Sequence, residues 1–239
     1  MNIDGVVFDL DATLVNLGGF VDWKRARMRA VETYLECGCS EGVLDGLRGV
    51  SLFDMLNRMW DELSGSLPRD RAQHVQDMVY AQISKCESEG AAQCQILPGC
   101  LESLDWLREH GMKMGIATSN SQEVAEAILK QNGLRDYFAF VVGREAGVRM
   151  KPNPDQILAC FEKLGVDPHD GVVVGDSVKD VEAAKAAGAC AIAVPSHFTS
   201  REALVRAGAD RIIESLCDLP NVILELDNTV GINDMRRGL

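Results

Sequence analysis

The residues of this chain that could do chemistry sit at the ends of short apolar runs. Gly5-Val6-Val7-Phe8 is followed by Asp9-Leu10-Asp11-Ala12-Thr13, and Gly171-Val172-Val173-Val174 by Gly175-Asp176-Ser177 with Asp180 three residues on. Two carboxylates two residues apart in extended chain share a face, with Cα atoms about 7 Å apart. If both run-ends converge, several carboxylates meet, and two unit charges about 4 Å apart repel by roughly 4 kcal/mol near a surface. Such a cluster needs a cation. All-oxygen donors without histidine select a hard ion, and few carboxylates with room for water and phosphate suit Mg²⁺ better than Ca²⁺. The competing reading of Asp11 and Asp180 is helix capping, which aspartate does commonly but which explains poorly an Asp pair directly after an apolar strand.

Two further segments carry polar groups in the same kind of place. Met114-Gly115-Ile116-Ala117 ends in Thr118-Ser119-Asn120 before a helical pattern, so hydroxyls and free N–H groups at a helix N-terminus offer an anion site. The same residue types are also ordinary N-caps. Met150-Lys151-Pro152-Asn153-Pro154-Asp155 opens another helix, with Lys151 at the strand-end face.

The elements that must position these residues follow from the periodicity. The runs at 5–8, 114–117, 140–142, 171–174 and 189–194 are continuously apolar and β-branched, as in strands covered on both faces. Helix-period segments near 99–110, 121–132, 154–164, 178–187 and 200–207 alternate with them. The fold class is therefore α/β, a doubly wound parallel sheet, in which ligands bind at the carboxyl ends of the strands. From 18 to 95 no buried strand is expected, only the amphipathic patterns Trp23–Leu35, Leu52–Leu63 and Arg71–Cys86. This predicts a small helical cap domain over 18–95 inserted after the first strand of a core formed by 1–17 and 96–239. Gly18-Gly19 and Gly90-Ala91-Ala92 are expected as its hinges.

Composition narrows the partners. Twenty-four Lys and Arg against 36 Asp and Glu give a net charge of −12, which argues against nucleic acid and anionic membranes and for a small-molecule substrate. No apolar segment approaches the roughly 20 residues that span a bilayer, and a cytoplasmic location is expected. The eight cysteines include no C-x-x-C pair, so neither a structural metal nor a disulfide framework is expected.

Asp9-x-Asp11-x-Thr13, Thr118, Lys151-Pro152 and Gly175-Asp176-Ser177-x-x-Asp180 together resemble the motifs of the haloacid dehalogenase-like hydrolase superfamily, in its phosphoglycolate phosphatase-like branch with a helical cap. Ala12 stands where that family usually has glycine, a small cost if the backbone there is not left-handed. The resemblance implies a phosphatase acting on a small phosphorylated metabolite. Asp9 would be the nucleophile, forming an aspartyl-phosphate, and Asp11 the acid and base. Mg²⁺ would be held by Asp9, Asp176 and the Asp11 carbonyl, with Asp180 ordering a metal-bound water. Thr118 and Lys151 would hold the phosphoryl oxygens, with Ser119, Asn120 and Arg48 as substrate contacts, Arg48 from a cap loop. Trp23, Lys24 and Arg25 are further cap candidates. A β-phosphoglucomutase-like mutase shares every motif, and a phospho-acceptor signalling domain is a distant alternative that the position of Asp9 and the insertion count against. Glu225-Leu226-Asp227-Asn228-Thr229 echoes the first motif with Glu in place of the nucleophile and is expected to be loop or tail.

Overall fold

The computed structural model describes residues 3–227. Among them the strands β1 (Gly5–Phe8), β2 (Lys113–Ser121), β3 (Phe140–Arg144), β4 (Gly171–Gly175), β5 (Cys190–Ala193) and β6 (Arg211–Ile212) form one parallel sheet in the order β3-β2-β1-β4-β5-β6. The alternation of side chains along β1 explains why its run is apolar throughout. Val6 and Phe8 enter a core with α5 (Cys100–Glu109) and α6 (Gln122–Gln131), while Val7 enters a second core with α7 (Asp155–Leu164), α8 (Val178–Ala187) and α9 (Arg201–Ala207). Both faces are covered, as parallel sheets require.

The expected five strands and five helices are present, with β2 running on to Ser121 through a register shift after Ala117. Strand β6 was not legible, being two residues long. Residues 18–95 contain no strand, and their helices are α1 (Trp23–Glu36), α2 (Glu41–Asp45), α3 (Leu52–Ser66) and α4 (Arg69–Ala91). The five-residue α2 was not expected. The segment at 225–227 belongs to a helix over 219–227 rather than a loop, and Asp227 accepts a hydrogen bond from the Ile3 amide at 2.9 Å. Asn228 and Thr229 lie outside the described residues.

The chain leaves and re-enters the sheet region at one place. Val15 bridges Ile96 antiparallel, the Asn16 amide donates to Gln95 O at 3.0 Å, and the Gln95 amide donates to Asn16 Oδ1 at 2.7 Å. The two segments expected as hinges, Gly18-Gly19 and Gly90-Ala91-Ala92, meet a more specific demand, close approach. A Cβ on Gly90 would lie 2.9 Å from Phe20 O, and one on Gly18 2.7 Å from Asp11 Oδ2. No helix among the described residues is long and apolar enough to cross a membrane. All eight cysteines are free.

Candidate active site

Strand order reverses between β1 and β4, and there Asp9 and Asp176 emerge, at the kind of crevice where open α/β sheets bind ligands. Asp9 continues the ladder through its amide, which donates to Val174 O at 2.9 Å. One carboxylate oxygen from each of Asp9, Asp176 and Asp180 lies within 4.8 Å of the others, and all three residues are buried. Lys151 reaches this cluster from the segment before α7. Its Nζ lies 2.5 Å from Asp9 Oδ1 and 2.5 Å from Asp180 Oδ1, and donates to Ala117 O at 2.9 Å.

Burial and crowding set the protonation of the group. Asp9 is raised well above the ordinary carboxylate range by burial, against the pull of Lys151. Asp176 is raised to about 7 by burial and by the neighbouring Asp180 charge, although Ser196 Oγ donates to its Oδ2 at 2.6 Å. Burial draws Lys151 down, but Asp180 and Asp9 outweigh it and hold the ammonium above its usual range. One ammonium thus serves two of three carboxylates, leaving an all-oxygen donor set with excess negative charge that suits a hard divalent cation.

Asp180 caps α8 and also faces Lys151. Its amide donates to Ser177 Oγ at 3.2 Å and its Oδ2 accepts from the Ser177 amide at 3.0 Å, a capping box at the start of α8, while Oδ1 faces Lys151. Past Asp9 the chain forms a bridge between Asp11 and Val15 and turns at Ala12, which adopts φ +60°. Asp11 Oδ1 accepts from the Gly18 amide at 2.7 Å, and its carboxylate is not one of the three clustered groups. Burial raises Asp11 to about 6 against that hydrogen bond.

Ala12 is the one described residue other than glycine with positive φ. The condition for a small cost therefore fails. A left-handed L-residue costs roughly 1–2 kcal/mol, part of which glycine gives back as chain entropy. Ala12→Gly is expected to stabilise the fold by about 1 kcal/mol, read as a higher urea midpoint at unchanged slope. A lower midpoint would show that the methyl group packs more than it strains.

The second polar group of the site is built around a residue that sequence reasoning missed. Glu87 of α4 forms an ion pair with Arg144 at the end of β3, and both side chains are fully buried. Arg144 donates to both Glu87 oxygens at 2.9 Å and to Ser119 O at 2.8 Å. Glu87 also accepts from Asn120 Nδ2 at 3.1 Å and the Ser121 amide at 3.2 Å. Asn120 Oδ1 in turn accepts from Thr118 Oγ1 at 3.0 Å, and Gln156 Nε2 donates to Thr118 O at 2.7 Å. A charged residue closing an apolar strand, as Arg144 closes β3, was the available signal.

Polar contacts that join the inserted helices to the sheet segments include this cluster, Lys179 Nζ with Asp54 Oδ1 at 2.6 Å, and Asn57. The Asn57 side chain accepts from the Met150 amide at 3.0 Å and donates to Met150 O at 3.1 Å. Arg48 is exposed and pairs with Asp45 at 2.6 Å, so this arrangement does not bring it to the aspartates. Trp23 donates to Gly18 O at 3.2 Å and stacks edge-on with Phe53, Arg25 pairs with Glu89, and Lys24 is exposed.

Comparison with known proteins agrees with this geometry. The chain is 27% identical over 158 residues to phosphoglycolate phosphatase 1 of Pseudomonas aeruginosa, a match covering 66% of this chain and 58% of that one. It is 27% identical over 221 residues to pyrophosphatase PpaX of Bacillus pumilus, covering 92% and 96%. A solved structure from Thermotoga maritima, of a protein proposed to be a beta-phosphoglucomutase, superposes with a TM-score of 0.61 at 26% identity, covering 93% of this chain and 99% of that one. The model of the haloacid dehalogenase-like hydrolases matches residues 6–194, which hold all of β1 to β5 except Gly5 and every clustered aspartate, and the chain belongs to that family.

Proposed function

We propose that the protein is a Mg²⁺-dependent phosphatase of small phosphomonoesters that works through an aspartyl-phosphate on Asp9. The observation that carries this reading is the buried set of Asp9, Asp176, Asp180 and Lys151 at the reversal of strand order. An Asp9 oxygen attacks phosphorus, the P–O bond to the leaving alcohol breaks, and Asp11 supplies that alcohol's proton. Water then attacks the acyl-phosphate and gives its proton to Asp11, releasing phosphate and restoring Asp9. The rise of Asp11 to about 6 supports the first role, since it keeps a protonated form accessible near neutral pH.

Asp9 and Asp176, with the Asp11 carbonyl, would hold the Mg²⁺, and Asp180 would orient its surroundings from the head of α8. The ion would supply charge neutralisation at the phosphoryl oxygens. Lys151 and Thr118 would hold those oxygens, with Ser119 and Asn120 beside them. Residues 18–95 would act as the cap over a core of 1–17 and 96–239, held down by Glu87, Asn57 and Asp54. Arg48 would become a substrate contact only through movement of its loop.

Phosphate release from a panel of phosphomonoesters with Mg²⁺ or EDTA tests this. Turnover that EDTA abolishes and Mg²⁺ restores is expected, and turnover indifferent to EDTA would remove the metal from the proposal. The resemblance to the Thermotoga maritima protein keeps one second reading, a phosphosugar mutase. It requires a sugar phosphate isomer as product, dependence on a sugar bisphosphate, and no free phosphate.

A further inference from the structure

A cavity of about 800 Å³ opens at the carboxyl ends of β5 and β6, walled by the segments that follow β1, β5 and β6. Its lining reaches the chemistry from two sides. Asp11 contributes to it directly, as does Ser196, whose hydroxyl donates to Asp176 at 2.6 Å. Thr13 also lines it, and Thr13 Oγ1 is buried without a hydrogen-bond partner among the described residues.

Two features of the lining bear on what fits. Phe20 and Phe198 both line the cavity while remaining 40% and 68% exposed, so apolar ring surface stands in water until something covers it. The described lining contains no lysine or arginine, and its acids are Asp11 and Glu214, the latter already paired with Arg201. A carboxylate brought in here would lose water beside Asp11 and meet no lysine or arginine, with His197 the one basic side chain of the described lining.

We infer that this cavity receives the leaving group and selects an uncharged, ring-bearing alcohol over one that carries a carboxylate. The inference rests on the phosphatase reading, since it takes Asp11 as the group that protonates the departing oxygen. Phe198 and Phe20 are then specificity-determining walls.

The test compares benzyl phosphate with 2-phosphoglycolate, whose departing alcohols are similar in acidity, for wild type, Phe198→Ala and Phe198→Arg. Wild type is expected to have the higher kcat/KM on benzyl phosphate. Phe198→Ala should lower that value about tenfold through KM, the scale of a lost aromatic contact, and leave phosphoglycolate unchanged. Phe198→Arg should shift the preference toward phosphoglycolate. The exposure of Phe198 keeps either variant from threatening the fold, and melting temperatures check that. Wild-type preference for phosphoglycolate, or an equal effect of Phe198→Ala on both substrates, would overturn the inference while leaving the phosphatase reading intact. No turnover of these or any other phosphomonoester would instead overturn that reading and carry the inference with it.

Discussion

Asp9→Asn is expected to lower phosphate release by on the order of 10⁴-fold or more, the scale on which loss of a covalent nucleophile is felt. The amide keeps the shape of the carboxylate but cannot attack phosphorus at a useful rate. The fold should survive, because Lys151 keeps Asp180 and the Ala117 carbonyl as partners and one of three crowded acids has gone. The measurement is single-turnover phosphate release beside a thermal melt of the same sample. A well-folded Asp9→Asn variant within tenfold of wild type would end the candidacy of Asp9 as nucleophile, and water-first hydrolysis would replace it.

Arg144→Met is expected to cost about 3–5 kcal/mol of stability, because it strands a buried carboxylate. Glu87 would then keep only Asn120 Nδ2 and the Ser121 amide as donors, in a place from which water is excluded. The double variant Glu87→Gln with Arg144→Met should recover a substantial part of the loss, since a neutral amide needs no counter-charge. Urea unfolding of the four proteins gives the coupling directly. A loss below about 1 kcal/mol for the single change would mean that the ion pair opens to water in solution. Turnover should fall further than stability explains, because Glu87 holds Asn120 and Asn120 holds Thr118.

The parts of this architecture legible in the sequence were those with a local cause. Val6, Val7 and Phe8 announced a doubly covered strand by type alone, and Asp9 and Asp176 were visible because a carboxylate directly after such a run has few structural uses. Asp180 was legible as either cap or site residue, and its two oxygens divide that labour. What was not legible depended on distant segments. Glu87 reads as one more acid on a polar helix, and only the packing of α4 against the end of β3 buries it with Arg144. The turn at Ala12 hid for a different reason. An extended chain was the natural continuation of β1, whereas Ala12, whose amide donates to Val15 O at 2.7 Å, folds the chain back and brings the Gly18 amide to Asp11. Ser196 gave no signal, since a serine after a strand is too common to single out.

The central place of β1 also has a consequence for synthesis on the ribosome. This strand is made before both of its neighbours, which begin at Lys113 and Gly171, so its two edges stay open until those segments have emerged. Helices α1, α3 and α4 can meanwhile pack on one another, while Glu87 and Asn57 wait for Arg144 and Met150. The nascent protein thus carries an unpaired, wholly apolar strand leading into Asp9 through much of translation, and late closure of such long-range pairs is slow. The interval before Gly175 clears the exit tunnel is when this molecule is most exposed to misassociation, and when a chaperone would have most to protect.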